Sequence, residues 1–357
     1  MRSRHKNPPV SIGIDGNGGI VLRFAAFCLV LGLLFGIPVF GDGPYVVYDP
    51  LTHRVVEGDR QEEWRLIAST TKLMTALVAV ERADLWREIE ILPEYVGVEG
   101  SRMYLKAGEK RTVEELLYGL LLSSGNDAAL ALAGGIGGSV GRFVWWMNQT
   151  AASLGMETAC FENPTGLDGE DHGASAKDLA ILMEAVLREE TLAKILTAQY
   201  RSFDGYVLKN HNKLLWMHGE CIGGKTGFTK AAGRCLVSAF ERFGRRVVVV
   251  TLDTPGDWNR HISLAEAYLD GVTSVTGRAT LTLPVVNGWE DTVTLGVDYT
   301  LPLLAGEEET LTFRLYAPHF LYEMPPAGET VGEVEILLEG HVAGRIPAVA
   351  LGREKVQ

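Results

Sequence analysis

The stretch Ala68-Ser69-Thr70-Thr71-Lys72, running on into Leu73-Met74-Thr75-Ala76-Leu77-Val78-Ala79, decides how this chain is read. A polar turn becomes an apolar helix there, with Met74, Leu77, Val78 and Glu81 at helical spacing and the small Ala76 and Ala79 between them. Small residues among large ones predict a helix packed closely on several sides, a rigid mount for whatever its first turn carries. A serine in that turn and a lysine three residues on lie on one face, the amine one turn above the hydroxyl. A serine hydroxyl is a poor nucleophile at neutral pH unless a base takes its proton. A lysine can be that base where burial or a second cation lowers its pKa. The helix N-terminus adds free N–H groups suited to an anion forming on a substrate carbonyl. Ser3 and Lys6 repeat the same spacing in a basic leader, so the other parts of a site must come from elsewhere in the chain.

Outward from this helix, 357 residues with 46% apolar content predict a globular chain of about two domains. A net charge of -12 and a pI near 5.2 exclude a nucleic-acid-binding role, which needs basic surface to displace counterions. From residue 281 onward there are twelve acids against four Lys and Arg, a solvated acidic surface. Arg2, Arg4, Lys6 and Arg23 precede the apolar run Phe24 to Phe40, the pattern of an export signal intermediate in length between a cleaved leader and a short anchor. Everything after it is then expected outside the cytoplasm. Cys28 lies in that run, leaving Cys160, Cys221 and Cys235; no Cys/His cluster has metal spacing, and neither a metal site, a cofactor nor a disulfide framework is expected.

In chain order, Tyr45 to Tyr48 and Arg54 to Glu57 flank Asp49-Pro50-Leu51-Thr52 as a hairpin. Thr112-Val113-Glu114-Glu115 opens a capped helix through Leu121. That helix stops at Ser123-Ser124-Gly125-Asn126-Asp127, and an Ala/Leu-rich helix follows to Ala133. A polar loop between two apolar helices is forced to the edge of a core, so Ser124 and Asn126 should project from a fixed scaffold. Gly134-Gly135-Ile136-Gly137-Gly138 reads as a turn, because it follows a helix and has no nucleotide-loop ending. A helix from Ser139 to Leu154, the turn-rich Asn163-Pro164-Thr165-Gly166-Leu167-Asp168, and a helix from Ser175 to Arg188 come next. His172 precedes that last helix and reads as structural. Gly223 to Thr229 leads into the strands Cys235 to Phe240 and Arg245 to Leu252, so Lys225-Thr226-Gly227 is expected on a neighbouring strand, where a glycine admits a ligand and lysine and threonine grip a carboxylate. Beyond Gly277 short alternating runs predict a small all-β domain.

Three patterns therefore stand in order: Ser69-x-x-Lys72, Ser124-Gly125-Asn126 and Lys225-Thr226-Gly227. Serine β-lactamases and penicillin-binding proteins share such a set. With Asn163-Pro164-Thr165-Gly166-Leu167, Phe228-Thr229 and Ala232-Gly233-Arg234-Cys235-Leu236, the chain resembles the low-mass D-alanyl-D-alanine carboxypeptidases of the S11 peptidase type from about Tyr45 to Val349. The resemblance implies a transpeptidase-like α/β (α+β) domain, an antiparallel sheet covered by helices, over residues 42–276 after a leader at 1–41, with a β-rich C-terminal domain at 277–357.

It also implies the roles. Ser69 would attack the carbonyl between two terminal D-alanines of a peptidoglycan stem peptide, and Lys72 would take its proton. Ser124 would relay a proton to the leaving amine, Asn126 would bind the substrate backbone, and Lys225 with Thr226 would hold the terminal carboxylate. The N–H groups of Ser69 and Phe228, beside Gly227, would form the oxyanion hole. β-Lactams would acylate Ser69. Because the sequence stops soon after its last strand, any membrane attachment is expected to use the N-terminal segment; cleavage before Asp42, where Val39 and Gly41 offer a small-residue site, would instead release a soluble protein. A class A β-lactamase needs a Glu-x-x-Leu-Asn segment, absent between Asn126 and Lys225, and a non-catalytic wall-binding scaffold would be marked by a lost motif residue. None is lost.

Overall fold

The computed structural model describes residues 43–288 and 290–351, so the predicted leader lies outside the described residues. The chain opens with the hairpin β1 (Tyr45–Asp49) and β2 (Arg54–Asp59), antiparallel with Asp49 opposite Arg54. A single 3₁₀ turn, Ala68–Thr71, then leads into α1 (Lys72–Arg82). The predicted helix is thus continuous in space, although its first turn is wound more tightly. The short strands β3 (Glu88–Glu90) and β4 (Lys110–Thr112) pair next. Thr112 caps α2 (Val113–Leu122) through a reciprocal capping box with Glu115, as the sequence pattern predicts.

Next come α3 (Asn126–Gly137) and α4 (Val140–Ser153). The glycine run read as a turn is helical to Gly137, and only Gly138 turns left-handed, with φ 70°. The reason is close packing: a Cβ on Gly134 would fall 2.0 Å from the Tyr95 hydroxyl, so here glycine admits a neighbour. α5 (Ala176–Arg188) starts from a capping box between Ser175 and Asp178. The sequence reading assigned no elements to the segment that forms α6 (Glu190–Thr197), the hairpin β5 (Tyr200–Phe203) and β6 (Tyr206–Lys209), and the single turn α7 (Leu214–Met217).

The strands β7 (Cys221–Thr229), β8 (Gly233–Arg242) and β9 (Arg245–Thr251) complete a five-stranded antiparallel sheet in the order β2-β1-β9-β8-β7, followed by α8 (Asp257–Leu269). Alternation along the strands divides its side chains between two cores. Val46, Tyr48, Val237, Val248 and Val250 join the helices of the main core, including Leu73, Leu116, Leu132 and Leu182. Val47, Leu236, Phe240, Val247 and Val249 face the opposite way, against Ala265, Tyr268 and Leu269 of α8. Both faces are covered, which explains why β9 reads as an unbroken valine run.

The all-β portion begins at Thr273. A second antiparallel sheet orders β10 (Thr273–Pro284), β11 (Thr292–Leu303), β14 (His341–Ala350), β13 (Thr330–Leu338) and β12 (Leu311–Tyr316) as β10-β11-β14-β13-β12. Its own core collects alternate residues such as Val293, Leu295, Val297, Val334 and Ile336. A buried arginine joins the two sheets: Arg245 donates to Asp49 (2.7 Å), to Glu307 (2.8 Å) and to the Pro302 carbonyl (3.2 Å). Among the described residues no single helix is long and apolar enough to cross a membrane.

Candidate active site

The site lies where α1, the α2–α3 loop and the edge strand β7 meet. Ser69 sits in the 3₁₀ turn and is half-buried, whereas Lys72, one turn on, is fully buried. The Lys72 Nζ lies 2.9 Å from Ser69 Oγ and 2.7 Å from Asn126 Oδ1, and it also donates to the Thr165 carbonyl. Burial first, and then the Lys225 charge, hold this amine well below its ordinary pKa against an opposing pull from Asp127.

A neutral amine has two hydrogens and one lone pair. The Thr165 carbonyl can only accept, and so can Asn126 Oδ1, because the Glu99 carbonyl accepts from Asn126 Nδ2 at 2.6 Å and so fixes which way the amide faces. In the neutral form two N–H bonds would thereby be spent, leaving the lone pair for the Ser69 hydroxyl. A hydroxyl and an amine at this distance could exchange a proton.

Ser124 and Lys225 form a second pair. Lys225 Nζ donates to Ser124 Oγ at 3.0 Å and to the Thr226 carbonyl at 2.8 Å, and burial lowers its pKa to about 7. Ser124 itself has φ 58°, a left-handed backbone rare for serine, immediately before Gly125 at the N-cap of α3. Along β7, Lys225 and Gly227 are buried while Thr226 is half-buried and Phe228 is 64% exposed. Lysine and threonine therefore do not grip from the same side: Thr226 is the reachable hydroxyl and Lys225 is a buried charge behind it. Gly227 brings β7 against the Ser69 turn, since a Cβ there would lie 2.9 Å from the Ile67 carbonyl oxygen and 3.1 Å from the Ser69 nitrogen.

All eight residues marked in the sequence fall on the turn into α1, the α2–α3 loop with the first residue of α3, and β7, in two hydrogen-bonded groups, Ser69–Lys72–Asn126 and Ser124–Lys225, with Thr226, Gly227 and Phe228 following Lys225 along β7. The sequence reading missed the partners that hold them. Thr165 and Glu99 act through main-chain carbonyls, which no side-chain pattern reveals. Asp127 accepts the Met103 and Leu105 N–H groups at 3.0 and 3.1 Å and so pins the loop beside Asn126. Its acidic side chain after Asn126 was legible only as a helix start. Among the described residues no group of three or more His, Cys, Asp or Glu side chains is placed to hold a metal ion.

A buried lysine with no carboxylate partner beneath a serine at a helix start, beside a Lys-Thr-Gly edge strand, is the arrangement of motifs shared by serine β-lactamases and penicillin-binding proteins. Residues 41–256 match the D-alanyl-D-alanine carboxypeptidase family, peptidase S11, and the chain belongs to that family. It is 33% identical over 225 residues to the D-alanyl-D-alanine carboxypeptidase DacF of Bacillus subtilis, an alignment covering 59% of this chain and 58% of that protein. The chain thus spans well under two thirds of that relative's length. Among solved structures it is similar to penicillin binding protein 5 from Haemophilus influenzae, with a TM-score of 0.65 and 25% identity over 88% of this chain and 98% of the other. It is also similar to the D-alanyl-D-alanine carboxypeptidase DacD from Francisella tularensis, with a TM-score of 0.62 and 26% identity over 87% and 92% of the two chains.

Proposed function

We propose that the protein is a serine D-Ala-D-Ala carboxypeptidase that trims the terminal D-alanine from peptidoglycan stem peptides through an acyl-enzyme on Ser69. The observation that carries this reading is the fully buried Lys72 amine 2.9 Å from Ser69 Oγ, its pKa held down by burial and by Lys225, so that its neutral form would offer its lone pair to the Ser69 hydroxyl. In acylation Lys72 takes the hydroxyl proton as Ser69 Oγ bonds to the penultimate D-alanine carbonyl carbon. The oxyanion is received by the N–H groups of Ser69 and Phe228, a type of contact typically worth about 3 kcal/mol per donor. The C–N bond then breaks as a proton passes from the Lys72 ammonium, by way of Ser124, to the departing D-alanine nitrogen. Water next adds to the ester carbonyl, with Lys72 again as base, and Ser69 leaves with the proton.

Asn126 fits the substrate-binding role, because Glu99 occupies one hydrogen of its amide group and the other remains for a substrate carbonyl. A substrate carboxylate at Thr226 would meet the Lys225 charge behind it and raise that lysine's pKa, so binding and charge support each other. A β-lactam offers the same carboxylate and a strained amide, hence acylation of Ser69 and inhibition. We also propose that residues 42–272 form the catalytic domain and 273–357, from the start of β10, a β-rich domain, four residues earlier than the sequence boundary, with the N-terminal segment directing the protein out of the cytoplasm either as a cleaved leader or as a membrane attachment.

The test is intact-mass spectrometry of the protein with benzylpenicillin, followed by incubation with a D-Ala-D-Ala-terminated peptide. A lasting adduct that Ser69→Ala abolishes, with release of one D-alanine per peptide, is expected. An adduct lost within seconds would replace the reading with a β-lactamase, and neither adduct nor release would leave a non-catalytic scaffold.

A further inference from the structure

We propose that His172 is a positioning residue for the oxyanion donor of the nucleophile turn, acting through Thr71 on the peptide unit between Ala68 and Ser69. The proposal rests on the reading of Ser69 as nucleophile. Thr71 and His172 are both buried, and His172 Nε2 lies 2.8 Å from Thr71 Oγ1. The direction of this bond is fixed by the far side of the ring. There His172 Nδ1 receives the backbone N–H of Glu162 at 3.0 Å, so Nδ1 is the bare nitrogen and Nε2 carries the proton. Thr71 Oγ1 therefore accepts from the imidazole and turns its own hydrogen to the Ala68 carbonyl, 2.8 Å away. One chain of donors runs from Glu162 through His172 and Thr71 to Ala68 O.

What lies at its end gives the chain a consequence for catalysis. Ala68 has φ 47°, a left-handed conformation that an alanine does not adopt unaided. Its carbonyl belongs to the same planar peptide as the Ser69 N–H, and in a trans peptide the two bonds point in opposite directions. Fixing the carbonyl on Thr71 thus fixes where the Ser69 N–H aims, and a hydrogen bond to the carbonyl also polarises the N–H on the other side. The ring additionally ties the nucleophile turn to the 162–172 loop, which supplies the Thr165 carbonyl to Lys72. Burial, the dominant influence, lowers the His172 pKa to about 4 against the opposing pull of Asp168, so the bare Nδ1 persists at neutral pH.

An oxyanion donor acts on the transition state and hardly on the ground state, so its misalignment lowers the rate constant and spares affinity. The experiment is rapid-mixing acylation by benzylpenicillin, separating the non-covalent dissociation constant from the acylation rate constant, on wild type, Thr71→Val, Thr71→Ser, His172→Ala and His172→Gln. Thr71→Val, which keeps the shape and removes the hydroxyl, should lower the acylation rate constant about tenfold with an unchanged dissociation constant; complete loss of a single such donor costs roughly 10²–10³-fold. Thr71→Ser should restore it. His172→Gln, which can still donate to Thr71, should exceed His172→Ala. A folded Thr71→Val acylating at the wild-type rate overturns the proposal, as does a Thr71→Ser as slow as Thr71→Val, which would assign the loss to methyl packing. The Thr71 pair decides the matter even if His172→Ala does not fold. Failure of wild type to acylate would refute the nucleophile reading instead.

Discussion

Two of the buried cationic clusters among the described residues are built on opposite principles. In the site, Lys72 and Lys225 are buried against neutral oxygens: a serine hydroxyl, an amide carbonyl and main-chain carbonyls. Their direct partners include no carboxylate, so burial pushes both pKa values down. Where the two sheets meet, Arg245 is equally buried, but Asp49 and Glu307 sit at 2.7 and 2.8 Å and Tyr268 accepts from its Nε at 3.0 Å. Burial opposes that charge as well, yet the two carboxylates outweigh it and its pKa is raised. A buried cation left without a counter-charge is poised to lose a proton and do chemistry. One that is matched keeps its charge and fixes architecture.

Replacing Lys72 probes the first half of this contrast and has the largest expected effect. Lys72→Met keeps the aliphatic stem and removes the base, so the acylation rate constant measured with benzylpenicillin should fall on the order of 10²–10⁴-fold. The variant should unfold at no lower temperature than wild type at pH 7, because an amine that is disfavoured in the fold has been removed. A normal acylation rate would take the base role from Lys72. Arg245→Met probes the second half. It strands Asp49 and Glu307 as uncompensated buried carboxylates, and urea unfolding should show a loss of about 3–5 kcal/mol. Acylation per folded molecule should stay unchanged, since Arg245 bonds to no residue of the site. A variant that unfolds like wild type would show that the charge pairing is dispensable.

Lys225 gives a smaller, pH-dependent effect. Its ammonium is lost as the pH rises through about 7, so kcat/KM for a carboxylate-bearing peptide should decline on the alkaline side of that value. Lys225→Arg, which stays charged, should flatten the limb if the site accommodates it. The stability sign follows from linkage: between about pH 7 and the unfolded value of 10.5 the unfolded chain binds the extra proton, so this lysine's contribution to stability rises with pH across that window. The stability of Lys225→Met relative to wild type should accordingly be greatest near pH 7 and shrink towards pH 10. An unchanged difference would mean that Lys225 is not depressed.

The same contrast explains what the sequence disclosed. Ser69, Lys72 and Asn126 were legible because side-chain type and spacing carry their chemistry, and the capping boxes at Thr112 and Ser175 because they are local. The unbroken valines of β9 and the alternation of β11 were legible as strands for the same reason. Thr165 and Glu99 were not legible, since a main-chain carbonyl belongs to every residue and only the tertiary fold decides which one faces Lys72. Nor was the helical course of Gly134, where packing against Tyr95 overrides a poor helix propensity. Arg245 is an ordinary strand residue until Glu307, 62 residues away in sequence, comes beside it.

The smallest effect expected is at the rim of that same junction. Arg54 at the start of β2 and Glu339 in the β13–β14 turn approach to 3.4 Å with side chains 49% and 36% exposed. Water screens both charges and two long side chains lose rotamer freedom to meet, so the coupling energy from a double-mutant cycle with Arg54→Ala and Glu339→Ala should be under about 0.5 kcal/mol and should fade on raising the salt. Arg245 and this pair share carboxylate chemistry and bridge the same two sheets, and they differ in access to water. A coupling of several kcal/mol at Arg54, insensitive to salt, would therefore mean that burial is not what separates a structural charge from an incidental one, and the contrast between the two buried clusters would lose its physical basis.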